Sequence, residues 1–128
     1  MTVEATKRVF DALAACAAIR QFISGADFAS YEKDLLLRSA VERQFEILGE
    51  ALGKASAAEP TLEERLPDLR RIVGLRNRII HGYDTVSLEA YFTRSMATFR
   101  FRSSSFLNRM QLLPVETLPR RSLLFSTR

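Results

Sequence analysis

The sequence predicts an all-α helical bundle, and three observations carry that expectation. Apolar residues recur at helical spacing from the start of the chain. No useful length of strand-like apolar/polar alternation interrupts them. Gly, Pro and small polar residues fall where helices begin and end. At 128 residues the chain is sized for a single domain with a proper core. Its 47% hydrophobic and 27% charged content is ordinary for a globular protein.

The first helix is marked by Val9, Ala12, Leu13, Cys16, Ile19 and Ile23 at i, i+3, i+4 and i+7 spacing, with Gly25 placed to cap its C-terminus. Cys16, set among alanines, reads as a small core hydrophobe. As the only cysteine it rules out an internal disulfide framework, and alone it cannot build a zinc site. Ser30 can cap a second helix whose apolar row runs Leu37, Val41, Phe45, Leu48, Leu52 and Ala55, ending before Pro60. On that helix Gly49 and Gly53 lie four apart beside a row of Glu42, Glu46 and Glu50. Two readings fit this arrangement: a solvated acidic row with a Glu50–Lys54 pair, or a surface for close helix approach or for a basic partner. Thr61 with Glu64 makes a capping box for a short third helix, stopped near Pro67. Asp68 can cap a fourth, LRRIVGLRNRIIH, which Gly82 would terminate. Ser87 precedes Leu88, Tyr91, Phe92 and Phe99, a further helix.

Beyond residue 102 the text changes. From Ser103 onward there is no Lys, Asp or Gly, and Pro114 and Pro119 break any periodicity. We therefore divide the chain into a helical bundle at 1–102 and a poorly structured basic tail at 103–128. The tail does not read as a continuation of the domain, and a shifted reading frame would produce such text. Resequencing the coding DNA and translating its other frames tests that; no helical continuation in either frame would sink it.

The net charge of +4 is unevenly placed. Residues 1–89 carry 12 Lys and Arg against 14 Asp and Glu, a net of −2, whereas residues 90–128 carry 7 Arg against Glu116, a net of +6. The basic balance belongs to the tail and says little about what the body binds. Glu4, Lys7, Arg8 and Asp11 interrupt the N-terminal apolar residues, which argues against a signal peptide. No uncharged apolar run approaches the roughly 20 residues a membrane span needs. The expected location is the cytoplasm, with no membrane contact.

The most informative segment is RNRIIHGY, Arg76 to Tyr83, which holds the only histidine. It supplies a proton carrier, a fixed cation and an orienting amide, the groups phosphodiester chemistry needs when no metal is available. On a helix at about 100° per residue, Leu69, Ile72, Val73, Leu75, Ile79 and Ile80 form one apolar face. Arg76 falls near the centre of that face. Asn77 and His81 share an edge, while Arg70, Arg71 and Arg78 point to solvent, where they could hold phosphates. A guanidinium amid apolar neighbours requires a carboxylate, a cleft open to anions, or both. Glu46 or Glu50 of the second helix could serve as the carboxylate, leaving His81 an ordinary helix-end residue.

The octet resembles the Arg-x4-6-His signature of the HEPN superfamily, in the Arg-Asn-x3-His-x-Tyr form of HepT-like toxins. The resemblance extends over nearly all of residues 1–89: AVERQFEILGEALGKA (Ala40 to Ala55) is similar to that family's second-helix block. LPDLRRIVGLRNRIIHGYDTV (Leu66 to Val86) is similar to the block carrying its motif. The departure begins around Tyr91, where the family would continue its last core helix. The resemblance implies a HEPN-type up-and-down bundle that dimerises. It also implies a toxin encoded beside a minimal, MntA-type nucleotidyltransferase antitoxin. It assigns Arg76 and His81 as catalytic residues, Asn77 as their polar companion and Tyr83 as the motif tyrosine, to which the antitoxin would transfer AMP from ATP. Arg78 is the expected substrate-binding residue, and neither metal nor cofactor is expected in the toxin.

Two functions follow. The first is a metal-independent endoribonuclease in which His81 moves protons and Arg76 stabilises the phosphorane. One imidazole per chain cannot readily serve as acid and base together, so this reading predicts a homodimer with a composite cleft. The second is a non-catalytic helical module that binds a nucleotidyltransferase and is modified by it. A neighbouring reading frame with a Gly-Ser-x10-12-Asp-x-Asp motif would identify the partner in either case.

Overall fold

The computed structural model describes residues 1–81, with the side chains of 78–81 excepted. Five helices follow in order: α1 (Val3–Ile23), α2 (Phe28–Lys33), α3 (Leu35–Ala58), α4 (Leu62–Arg65) and α5 (Leu69–His81). Among the described residues there is no strand, and the all-α expectation holds. The Gly82 terminator, Tyr83, the helix expected after Ser87 and the tail lie outside the described residues.

α1 starts where Thr2, in extended backbone, turns its hydroxyl to accept from the Ala5 amide at 3.1 Å. It ends at Ile23, and Gly25 adopts φ +75°, the left-handed conformation expected of a residue that stops a helix. The predicted row Val9, Ala12, Cys16, Ile19 and Ile23 is buried, and Leu13 packs against it half-buried. Cys16 is a core residue whose thiol is pushed up to about 12, mainly because burial disfavours the thiolate.

The expected second helix is two helices. Asp27, not Ser30, caps α2: its Oδ1 accepts from the Ser30 amide at 2.7 Å, and Ser30 Oγ accepts from the Asp27 amide at 3.1 Å. Asp34 then caps α3, its Oδ1 accepting from the Leu37 amide at 3.0 Å. Two carboxylates in extended backbone, seven residues apart, thus start two helices where a single hydroxyl suggested one. Downstream the apolar row is as read, with Val41, Phe45, Leu48, Leu52 and Ala55 buried. The helix ends at Ala58, ahead of Pro60.

The capping box foreseen at Thr61 does not form. Thr61 sits in helical backbone at φ −65°, ψ −14°, where its hydroxyl cannot reach back over the first turn, and it donates to Glu59 at 2.8 Å. α4 is accordingly a single turn. α5 begins after Asp68, as expected, with the Ile72 amide bonded to the Asp68 carbonyl at 3.0 Å.

α3 is the central element, packing against both α1 and α5. One contiguous core joins Val9, Cys16 and Ile19 of α1 to Phe45, Leu48 and Leu52 of α3 and to Leu69, Ile72 and Leu75 of α5. Leu62 and Leu66 close its end. Burying such side chains is worth roughly 1.5–3 kcal/mol each, which anchors α5 firmly on α3 and so fixes what α5 presents.

Candidate functional site

The site is built on the last two turns of α5. Leu69, Ile72 and Leu75 are buried and Val73 is half-buried, so the predicted apolar face is realised as far as the side chains are described. The helix runs unbroken to His81, which keeps Asn77 and position 81 on one edge. The side chains of Arg78 and His81 fall outside the described set, and so does all of Tyr83.

Arg76 is half-buried at the crossing of α5 over α3. The carboxylates expected to neutralise it are engaged elsewhere. Glu46 pairs with Arg43 at 3.1 Å and Glu50 with Lys54 at 3.1 Å, the latter the pair foreseen from the sequence. Among the described residues Arg76 makes no ion pair. Its Nη1 donates to Asn77 Oδ1 at 3.0 Å, and its buried Nε finds no hydrogen-bond partner. Among the described contacts, it is therefore Arg76 that the Asn77 amide orients. Buried Nε is closed to a ligand from solvent; what remains for a phosphate oxygen is Nη2, which makes no hydrogen bond among the described residues, together with the second N–H of Nη1. The guanidinium is nevertheless felt on α3. The Glu50 carboxyl is held below the usual range, first by its hydrogen bond to Lys54 and in smaller part by Arg76.

Of the two glycines singled out on α3, only Gly49 serves close approach. A Cβ there would overlap the Arg76 Cβ and lie 2.7 Å from its Cγ and 3.5 Å from the Ile72 carbonyl oxygen. A Cβ at Gly53 would meet nothing within 4 Å. The two positions are alike in sequence, and only the path of α5 separates them.

Flanking charges divide the same way. Arg70, expected to face solvent, does so, yet it also reaches Glu63 of α4 at 3.1 Å. Glu63 in turn accepts from Ser56 Oγ of α3 at 3.1 Å, so α3, α4 and α5 are tied together at the start of α5. Exposed pairs of this kind contribute little stability. Arg71 is exposed. Among the described residues no three His, Cys, Asp or Glu side chains converge as a metal ion would need, and no helix is long and apolar enough to cross a membrane.

Comparison with known proteins gives one finding. Residues 12–93 match the family model described as Ribonuclease HepT-like. Neither a curated protein nor a solved structure matches the chain.

Proposed function

Since the chain belongs to the HepT-like ribonuclease family, we propose that it is a toxin that cleaves RNA without a metal, using Arg76 and His81. The observation that carries the proposal is a cation lodged against an apolar interface, with Nε buried, Nη1 held by Asn77 and Nη2 without a hydrogen-bond partner among the described residues. RNA carries its own nucleophile. A base removes the 2′-hydroxyl proton, the 2′-oxygen bonds to the adjacent phosphorus, and the bond from phosphorus to the 5′-oxygen breaks as an acid protonates the leaving oxygen. His81 is the only imidazole for these transfers, each worth roughly 10²–10⁴ in rate. Arg76 neutralises the phosphorane through its terminal Nη atoms. Two chains in a homodimer supply one imidazole as base and one as acid, with Arg78 on the flanking phosphates.

Neutralisation falls to a nucleotidyltransferase antitoxin acting in the cytoplasm. The Tyr83 hydroxyl attacks the α-phosphorus of ATP, pyrophosphate leaves, and the AMP placed beside Arg76 occupies the position meant for RNA. The partner supplies ATP and metal, and the toxin supplies the acceptor.

The test is growth arrest on induction, together with cleavage of RNA by purified protein. Arg76→Ala and His81→Ala should each abolish both while leaving the dimer intact. Tyr83→Phe should abolish AMP labelling. Toxicity that survives His81→Ala rejects catalysis by this site. AMP labelling without cleavage at any pH leaves the non-catalytic module in its place.

A further inference from the structure

The geometry points to Gly49 of α3 as a positioning residue for Arg76, one that sets where the guanidinium presents its Nη atoms; this rests on the ribonuclease reading above. The first observation is steric. The Arg76 side chain leaves α5 directly over the Gly49 backbone, in the space a Cβ would fill. Ordinary carbon contacts lie at roughly 3.5–4.0 Å, and the Arg76 Cγ stands only 2.7 Å from that Cβ position. Any other residue would therefore drive the root of the side chain off α3 by about 1 Å. The colliding atoms are Cβ and Cγ, close to the α5 backbone, so rotation of the distal guanidinium cannot relieve the overlap.

The second observation concerns what the close approach achieves. It sinks the stem of Arg76 into the α3–α5 seam far enough to bury Nε, while Nη1 stays at the surface in reach of Asn77. The stem packs against the Gly49 backbone and Nη1 is held by Asn77, which narrows the rotamers open to the side chain before any phosphate arrives. Holding reacting groups in place ahead of the reaction is where a displacement of about 1 Å can cost on the order of 10²-fold in rate. Gly53, one turn along the same helix with open space around it, is the matched control.

The experiment compares Gly49→Ala, Gly53→Ala and Arg76→Ala in the full chain. Cleavage kinetics are read beside the NMR signal of the Arg76 Nε–H group. Gly49→Ala should lower kcat about 10²-fold with KM changed by less than about threefold, and should shift the Nε–H signal. Gly53→Ala should leave both at wild-type values. Arg76→Ala should abolish cleavage and remove the Nε–H signal, which assigns that signal to Arg76. Wild-type kcat in Gly49→Ala or an unmoved Nε–H signal would each overturn the assignment. If Gly49→Ala fails to fold, adding Arg76→Gly removes the colliding atoms and should restore folding; failure to restore it counts against the assignment. A shifted signal in a chain whose wild type cleaves no RNA would reject the ribonuclease reading and leave the Gly49–Arg76 grip standing.

Discussion

Replacing Arg76 with methionine tests whether this cation is kept at the expense of stability. Methionine retains the Cβ and Cγ that lie over Gly49 and has nearly the same helix propensity as arginine. It removes the buried Nε–H that has no partner among the described residues, a group that costs roughly 1–3 kcal/mol to leave unsatisfied. It also removes the 3.0 Å bond from Nη1 to Asn77, worth about 0.5–1.5 kcal/mol and nearer the lower figure because that bond is exposed to water. The difference favours the variant by about 0.5–2 kcal/mol, or roughly 2–8 °C in Tm for a domain of this size. Thermal and urea melts in low-phosphate buffer measure it. In the same melts inorganic phosphate should raise the Tm of the wild type and not that of Arg76→Met, since only the former has the guanidinium. A loss of 1 kcal/mol or more in Arg76→Met would refute the reasoning, because it would mean the guanidinium is satisfied within its own fold and serves packing.

Three other outcomes are expected. Burial holds the Glu42 carboxyl above its usual range, with Glu46 adding to the shift and Arg38 opposing it. The folded state therefore binds this proton more tightly than the unfolded one, and the group's stabilising contribution, present below the unfolded pKa of about 4.3, is lost as pH rises through the folded value. Glu42→Gln should accordingly raise Tm at pH 7 and have no effect near pH 3.5; equal melting at both pH values would contradict this. Cys16, fully buried with its thiol near 12, should resist alkylation at pH 8 until urea unfolds the domain, and rapid labelling of the native protein would contradict its core placement. Leu52→Ala, at the centre of the α1–α3–α5 core, should cost roughly 2–5 kcal/mol by urea melt, and a loss under 1 kcal/mol would show that the site is loosely packed.

Much of this architecture is legible in one dimension because helices announce themselves by spacing. The rows from Val9 to Ile23 and from Val41 to Ala55 are buried as their periodicity requires, since burial of one face is what makes an amphipathic segment a helix. Local signals that compete for one role were less legible. Ser30 and Thr61 have capping chemistry, but a cap also needs extended backbone at the right residue; Asp27 and Asp34 have it, and Thr61, in helical backbone, does not.

The sequence by itself determined the helical class, the core rows and the residue types around Arg76, because each depends on period and chemistry along one chain. It also showed that an arginine stands on an apolar face, which poses the question of its partner. Only the tertiary structure decided the answer on the described residues: Glu46 and Glu50 turn to Arg43 and Lys54, Asn77 takes one edge of the guanidinium, and α5 crosses α3 at Gly49 and not at Gly53. Residues one turn apart on a helix are equivalent by pattern, and they become different only when a second helix passes close to one of them.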